Sequence, residues 1–227
     1  MARRGLAATV AHATLRPSSR YVDVAMPSLT VAPFSIADSA RVHGQFVWIE
    51  QRLFALLGTS VSATPERPVK YHLGVYCYRH SWHAELFTKL LPTPTEVHPY
   101  GVIAPPQPEM VQLIESVASF EDTIDRLVGL YRVLLPACVD NYRKYLSGCS
   151  PVTDGPTIRV IDLVLRDDEC EQQAGEILLD DLLQSRADHG RAEAIHLNLT
   201  TGAHPTVSRD AGGEKIGQRE GLTDPLS

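Results

Sequence analysis

FVWIEQRLFALL, residues 46–57, sets Phe46, Ile49, Leu53 and Leu57 at spacings of three and four and places an acid among them. That period belongs to an amphipathic helix. Glu50 has Phe46, Leu53, Phe54 and Leu57 as its helical neighbours, so its carboxylate points with them toward the interior. A buried charge is expensive and persists only with a partner, a metal or a task. Both fold and chemistry are read outward from this stretch.

The first helix is expected from Ile36 to Gly58, with Ser35 as N-cap and Asp38 in the first turn, where an acid suits the exposed amides. The stretch GTSVSATPERP should break it. Thr64-Pro65 then reads as a cap and first-turn proline launching a second helix through Leu91, whose inner face carries Leu73, Tyr76, His80, His83, Phe87 and Leu90. The segment PTPTEVHPYGVIAPPQP, residues 92–108, holds Pro92, Pro94, Pro99, Pro105, Pro106 and Pro108 and cannot be helical. It is long enough to return the chain along a whole bundle. A third helix, from Glu109 to Leu146, is expected in two pieces, with Pro136 able to kink the second. SPVTDGPT caps a fourth helix from Pro156 to Ser185 with an apolar stripe of Ile158, Ile161, Leu165, Leu179 and Leu182. The fold class is all-α: two helical hairpins joined by a long Pro-rich crossover, a four-helix bundle over residues 35–188. Residues 1–34 and 189–227 read as flexible tails, the second rich in Gly, Pro and charge with little to bury. Initiation at Met1 or at Met26 is left open, and the Arg-containing N-terminal stretch lacks the apolar block of a secretion signal.

Composition narrows the function classes. The chain has 227 residues, 44% hydrophobic and 21% charged, with a net charge of −6. It lacks the basic surface that tracks phosphates, so no nucleic-acid partner is expected, and no stretch free of charge is long enough to span a bilayer. Cys77, Cys138, Cys149 and Cys170 stand singly, which suits a reducing cytoplasm and excludes a CxxC zinc or redox pair. Dinucleotide, P-loop, zinc-protease and serine-hydrolase motifs are absent from the sequence. A small-molecule substrate remains.

Polar groups on apolar faces indicate where such a molecule would react. His80 and His83, three apart, project together beside Tyr76 and Phe87, the spacing at which two side chains hold one object. On the fourth helix the run Asp167-Asp168-Glu169-Cys170-Glu171-Gln172 interrupts the stripe; helical phase turns Asp168 and Gln172 inward, leaves Glu169 on the boundary and allows the rest to be a solvated acidic face. Tyr142 and Tyr145 could cap the pocket, which Tyr76 and Trp82 would help to shape. His12, His43, His72, His98, His189, His196 and His204 form no spaced set and read as surface or loop residues, His72 being the nearest to an exception.

Glu50, the His80-Ser-Trp-His83 pair and the Asp168-Glu169-Cys-Glu-Gln172 run resemble the ferritin-like superfamily of carboxylate metalloproteins, over roughly residues 36–188. That family carries a Glu on helix one, Glu-x-x-His on helix two, and the same again on helices three and four. Here His80 stands where a bridging Glu is usual, His83 at the terminal histidine, and Gln172 in place of the second histidine. The third-helix ligand should fall between Val133 and Asn141, where the only acid, Asp140, lies off the core. The resemblance therefore implies at most one ion, iron or manganese, held by Glu50, His80, His83 and Glu169, and not a symmetric two-metal centre. Iron storage and oxygen-bridged chemistry are not carried over. It also implies a homodimer.

Three functions follow. The first is a metal-dependent oxidoreductase acting on a small organic molecule in the bundle core. The second is a metal-free acid/base enzyme of isomerase, lyase or cyclase type, with His83 as base, Glu50 orienting it, and Asp168 or Glu169 as acid. The third is a binding protein without catalysis, its polar interior a hydrogen-bonded remnant.

Overall fold

Ser35 opens the first helix as its composition requires: its side chain accepts the Asp38 amide at 3.1 Å and its hydroxyl donates to the Asp38 carboxylate at 2.6 Å. The computed structural model describes residues 34–92 and 99–202, so readings that fall on the N-terminal tail, Met26, His12, His98, His204 and the extreme C-terminus lie outside the described residues. Among the described residues the secondary structure is helical throughout, with no strand.

Helix α1 spans Ile36–Ala63 and α2 Arg67–Thr88. The break expected after Gly58 comes five residues later, because Thr59 and Ser60 send their hydroxyls back to the carbonyls of Ala55 and Leu56 and let the helix continue. Thr64 closes α1 instead of opening α2, its hydroxyl donating to the Ser60 carbonyl at 2.8 Å. Glu66 and Pro68 then start α2.

After the Pro-rich connection come α3 (Pro108–Ala118), α4 (Thr123–Val128), a π-helical segment Gly129–Leu134, and α5 (Leu135–Leu146). The division of the third helical stretch into two pieces falls at Ser119–Asp122, where the Asp122 side chain caps α4 through the amides of Ile124 and Asp125. A buried Arg126 guanidinium holds that turn by donating to the carbonyls of Phe120 and Glu121. Pro136 introduces no break. The π-helical segment stands immediately before it, with the Leu135 amide reaching the Leu130 carbonyl five residues back; widening the helix there relieves the clash that a proline ring makes with the carbonyl four residues earlier.

Helix α6 runs Gly155–Leu182 and α7 Arg186–Gly202. From His189 onward, helix α7 occupies residues read above as tail. It is held by Ala192, which is wholly buried, by Ile195 and Leu199 against the core, and by Arg191 bridging Asp122 and Asp125 at the start of α4. Composition alone had too few apolar residues to suggest this, since one narrow edge of the helix does the packing.

The contacts between helices run in opposite directions along the chain. Phe54 meets Cys77 and Glu50 meets His80 across α1 and α2; His83 meets Asp168 and His80 meets Glu171 across α2 and α6; Arg143 meets Glu169 and Arg132 meets Glu176 across α6 and the α5 stretch; Phe46 meets Tyr145 across α1 and α5. Each neighbouring pair is thus antiparallel. Phe46, Phe87 and Tyr142 form an aromatic triangle with centroids 4.8–5.6 Å apart that closes one end of the interior. Among the described residues no helix is long and apolar enough to cross a membrane.

Gly44 is fixed by a close approach, for a Cβ there would stand 2.0 Å from the carbonyl oxygen of Val102 in the connection. Gly190, within α7, has nothing within 4 Å of that position. Gly44→Ala is expected to cost about 1–3 kcal/mol in urea unfolding, because backbone must move, whereas Gly190→Ala should add about 0.5–1 kcal/mol through helix propensity.

Candidate metal centre

The apolar stripe of α6 does not skip its acidic run but passes through it. Ile161, Val164, Asp168, Glu171, Gly175 and Leu179 recur at three and four and are all buried. Two of the six are therefore carboxylates carried into the core by the same phase that carries the aliphatic residues. They meet Glu50 from α1 and His80 and His83 from α2. These five ionisable residues are at most 2% exposed.

Their geometry is ordered around one carboxylate oxygen. Glu50 Oε2 lies 2.7 Å from His80 Nδ1 and 3.5 Å from His83 Nδ1. His83 Nδ1 also lies 3.7 Å from Asp168 Oδ1. On their far sides both imidazoles face a further carboxylate: His80 Nε2 is 3.0 Å from Glu171 Oε2, and His83 Nε2 is 3.2 Å from Asp167 Oδ2. The His83 contact is aligned as a hydrogen bond. The His80 contact is not, which leaves His80 Nε2 among the buried atoms without such a bond. Tyr142 donates to Glu50 Oε1, and Tyr131, in the π-helical segment, donates to Glu171 Oε1 at 3.4 Å while lying 2.9 Å from His72 Nε2.

Burial and charge pull these groups in different directions. Burial alone would raise the Glu50 carboxyl, but the imidazoles beside it hold it well below the usual carboxylate range. Burial opposes protonation of His80, yet Glu171 and Glu50 together raise its pKa well above the ordinary value, and Glu50 and Asp168 do the same, less strongly, for His83. Asp168 is pushed well above the usual range, first by burial and then by the Glu50 charge. Burial likewise raises Tyr131 and Tyr142, both of which stay neutral as hydrogen-bond donors.

Of the residues singled out from the sequence, Glu50, His80, His83 and Asp168 converge. Tyr142 touches the cluster through its hydroxyl, and Tyr76 is buried beside it with Arg79 over its ring at 4.9 Å. Glu169 does not belong: its side chain is 45% exposed and paired with Arg143 at 2.6 Å, because it sits one residue past the buried phase. Gln172 is half-buried and donates to the Tyr131 carbonyl at 3.2 Å, bracing the π-helical segment without reaching the cluster. Trp82 is 38% exposed, with its ring 6.0 Å from that of His83. Asp140 lies on the surface beside Arg143, and on the third helical stretch the buried Cys138 thiol stands where an acid is absent. Its pKa is raised well above the ordinary value by burial and then by Glu50, Asp168 and Glu171.

Glu171 and Asp167 are the functional residues missed in the sequence. The signal for Glu171 was its spacing of three from Asp168 and four from Gly175 along the buried stripe. His43 and His72, read as surface residues, are buried. His43 lies 3.4 Å from both Tyr145 and Thr157 hydroxyls, and burial lowers its pKa to about 4. Gly175 makes room for Tyr131, since a Cβ there would fall 2.4 Å from the ring.

Donor atoms of Glu50, His80 and His83 lie within 4.8 Å of one another, as do those of His80, Asp168 and Glu171. Metal–ligand bonds of about 2.0–2.2 Å put neighbouring donors roughly 3–3.5 Å apart, close to the spacing around Glu50 Oε2. A cation fits on a second ground. Both Asp168 oxygens, His83 Nδ1 and His80 Nε2 are buried without a hydrogen-bond partner, and such orphaned groups are rare in a core unless something binds them. No family model matches the chain, and neither a curated protein nor a solved structure does.

In metal-free protein the imidazoles hold protons more tightly folded than unfolded. Their stabilisation is complete below about pH 6.5 and is lost as pH rises through the raised folded values. Asp168, also raised, acts in the same sense from its own lower unfolded value. Chelator-treated protein should therefore melt at falling temperature from pH 6.5 to 9. At pH 8.5, Asp168→Asn should raise the unfolding free energy, because the amide needs no proton to stay neutral on burial; a loss of stability would show that the carboxyl group has a protein partner.

Proposed function

We propose that this chain is a ferritin-like metalloenzyme that holds one first-row divalent ion, iron or manganese, and acts as an oxidoreductase on a small molecule. The observation that carries the reading is a cluster of buried donors in which His83 Nδ1 and both Asp168 oxygens lack hydrogen bonds beside the Glu50–His80 pair. Glu50 Oε2, His80 Nδ1, His83 Nδ1 and Asp168 Oδ1 would be the ligands, a mixed N/O set suited to iron or manganese. Support for the fold half of the reading comes from antiparallel neighbours among α1, α2, α5 and α6, with a Pro-rich connection between the hairpins.

The ion would supply Lewis acidity and one-electron redox chemistry. The chain's own part is to hold the ligands dry and keep Tyr142 and Tyr131 as neutral donors to Glu50 and Glu171. A second reading, metal-free acid/base catalysis, is favoured by Asp168, whose burial keeps a carboxylic acid protonated beside two basic imidazoles.

Elemental analysis of protein purified without chelator separates the two. The metal reading expects about one iron or manganese per chain, sharply reduced in His83→Ala and Asp168→Asn and unchanged in the surface variant Glu169→Gln. Metal-poor protein that turns over substrate in the presence of chelator, with a bell-shaped pH profile, would replace it with the acid/base reading.

A further inference from the structure

His83 is held from outside the cluster by a group that no ligand list would include. Its Nδ1 faces Glu50 and Asp168 and lacks a hydrogen bond, while its Nε2 lies 3.2 Å from Asp167 Oδ2 in good alignment. Asp167 is fixed in turn: Arg79 Nη1 lies 3.1 Å from its other oxygen. Arg79 is itself seated over the Tyr76 ring. The chain of contacts runs from half-exposed Arg79 through Asp167, 27% exposed, to a histidine that is 1% exposed.

We infer that Asp167 is a positioning residue that commits His83 to bind the metal through Nδ1. An imidazole offers one lone pair when neutral, and the nitrogen that carries the proton is chosen by its hydrogen-bond partner. With Asp167 accepting from Nε2–H, the lone pair is on Nδ1, the nitrogen that faces the other donors. The same carboxylate fixes the ring plane and increases its basicity as a ligand. Glu171 stands in the equivalent place behind His80, but it is buried and its contact is less well aligned. Asp167 therefore gives the cleaner test, since its substitution leaves the core packing untouched. This inference rests on the metal reading above.

The test uses cobalt(II) as the probe on full-length protein, comparing wild type, Asp167→Asn and Asp167→Glu. In wild type the Nε2–H of His83 should give a solvent-exchangeable, strongly downfield-shifted proton resonance when cobalt is bound. Asp167→Asn is expected to weaken cobalt affinity about 10–100-fold, to lose or broaden that resonance by fast exchange, and to leave the melting temperature of chelator-treated protein within a degree or two. Asp167→Glu should recover most of the affinity. Cobalt bound equally tightly by wild type and Asp167→Asn, with the resonance intact, would overturn the role of Asp167 and leave the metal reading standing. A wild-type chain that binds no cobalt, iron or manganese would overturn both.

Discussion

Everything in this core answers to one constraint: Glu50 is wholly buried, so its charge must be met by groups the protein carries in with it. Two imidazoles from α2 and a phenol from α5 do so directly. Those imidazoles then need acceptors of their own, which α6 supplies as Glu171 and Asp167. Each helix is thus committed to a register by a polar contact that cannot shift by one residue without leaving a charge unpaired in the core. Hydrophobic packing tolerates exchange of similar side chains. The Glu50 network does not, and it makes the interior specific.

The π-helical segment belongs to the same arrangement. It carries Tyr131 to a point between His72 and Glu171, and the ring fits there because residue 175 on α6 is glycine. Gln172 then ties its amide to the Tyr131 carbonyl, a group on the widened stretch of backbone. An ordinary α-helical turn at this place would rotate Tyr131 and everything beyond it toward Leu135 by the angle of one extra residue. The wide turn makes the proline that follows tolerable, and the tyrosine makes the turn useful.

Much of this was legible from spacing. Glu50 among Phe46, Leu53 and Leu57, and His80 with His83 on the face of Leu73 and Phe87, could be placed because their apolar neighbours define an unambiguous stripe. Helix α6 was harder. In the run from Asp167 to Gln172 every residue but Cys170 is polar, so hydropathy carries little phase, and the phase had to be brought in from Leu165 and Leu179, which lie fourteen residues apart. Taking half-buried Leu165 as the guide displaced the inferred inner face toward Glu169 and Gln172; fully buried Val164 leads through Asp168 to Glu171. Asp167 was illegible for another reason: it acts from the rim, where nothing in sequence separates a solvated acid from one that grips a histidine. His72 and Tyr131 were invisible as a pair because 59 residues separate them. The end of α1 and the existence of α7 turn on hydroxyl-to-carbonyl bonds and a single buried alanine, neither of which leaves a periodic trace.

Charge accounting links the cluster to the chemistry proposed for it. The negative charges of Glu50 and Glu171 favour protonated imidazoles beside them, against the pull of burial, while burial and the Glu50 charge favour the protonated acid at Asp168. Asp167 is balanced separately by Arg79. The metal-free core is therefore neutral at the expense of three bound protons. A cation held by Glu50, His80, His83 and Asp168, as proposed above, would displace those protons and face two carboxylates and two neutral imidazoles, with Glu171 outside the ligand set behind His80. The four ligands would then balance a divalent ion, and Glu171 would add one negative charge beside them. In a buried site an uncompensated charge is costly, so on the proposed reading the Glu171 charge would favour the higher oxidation state of an ion that has one, as iron and manganese do and zinc does not.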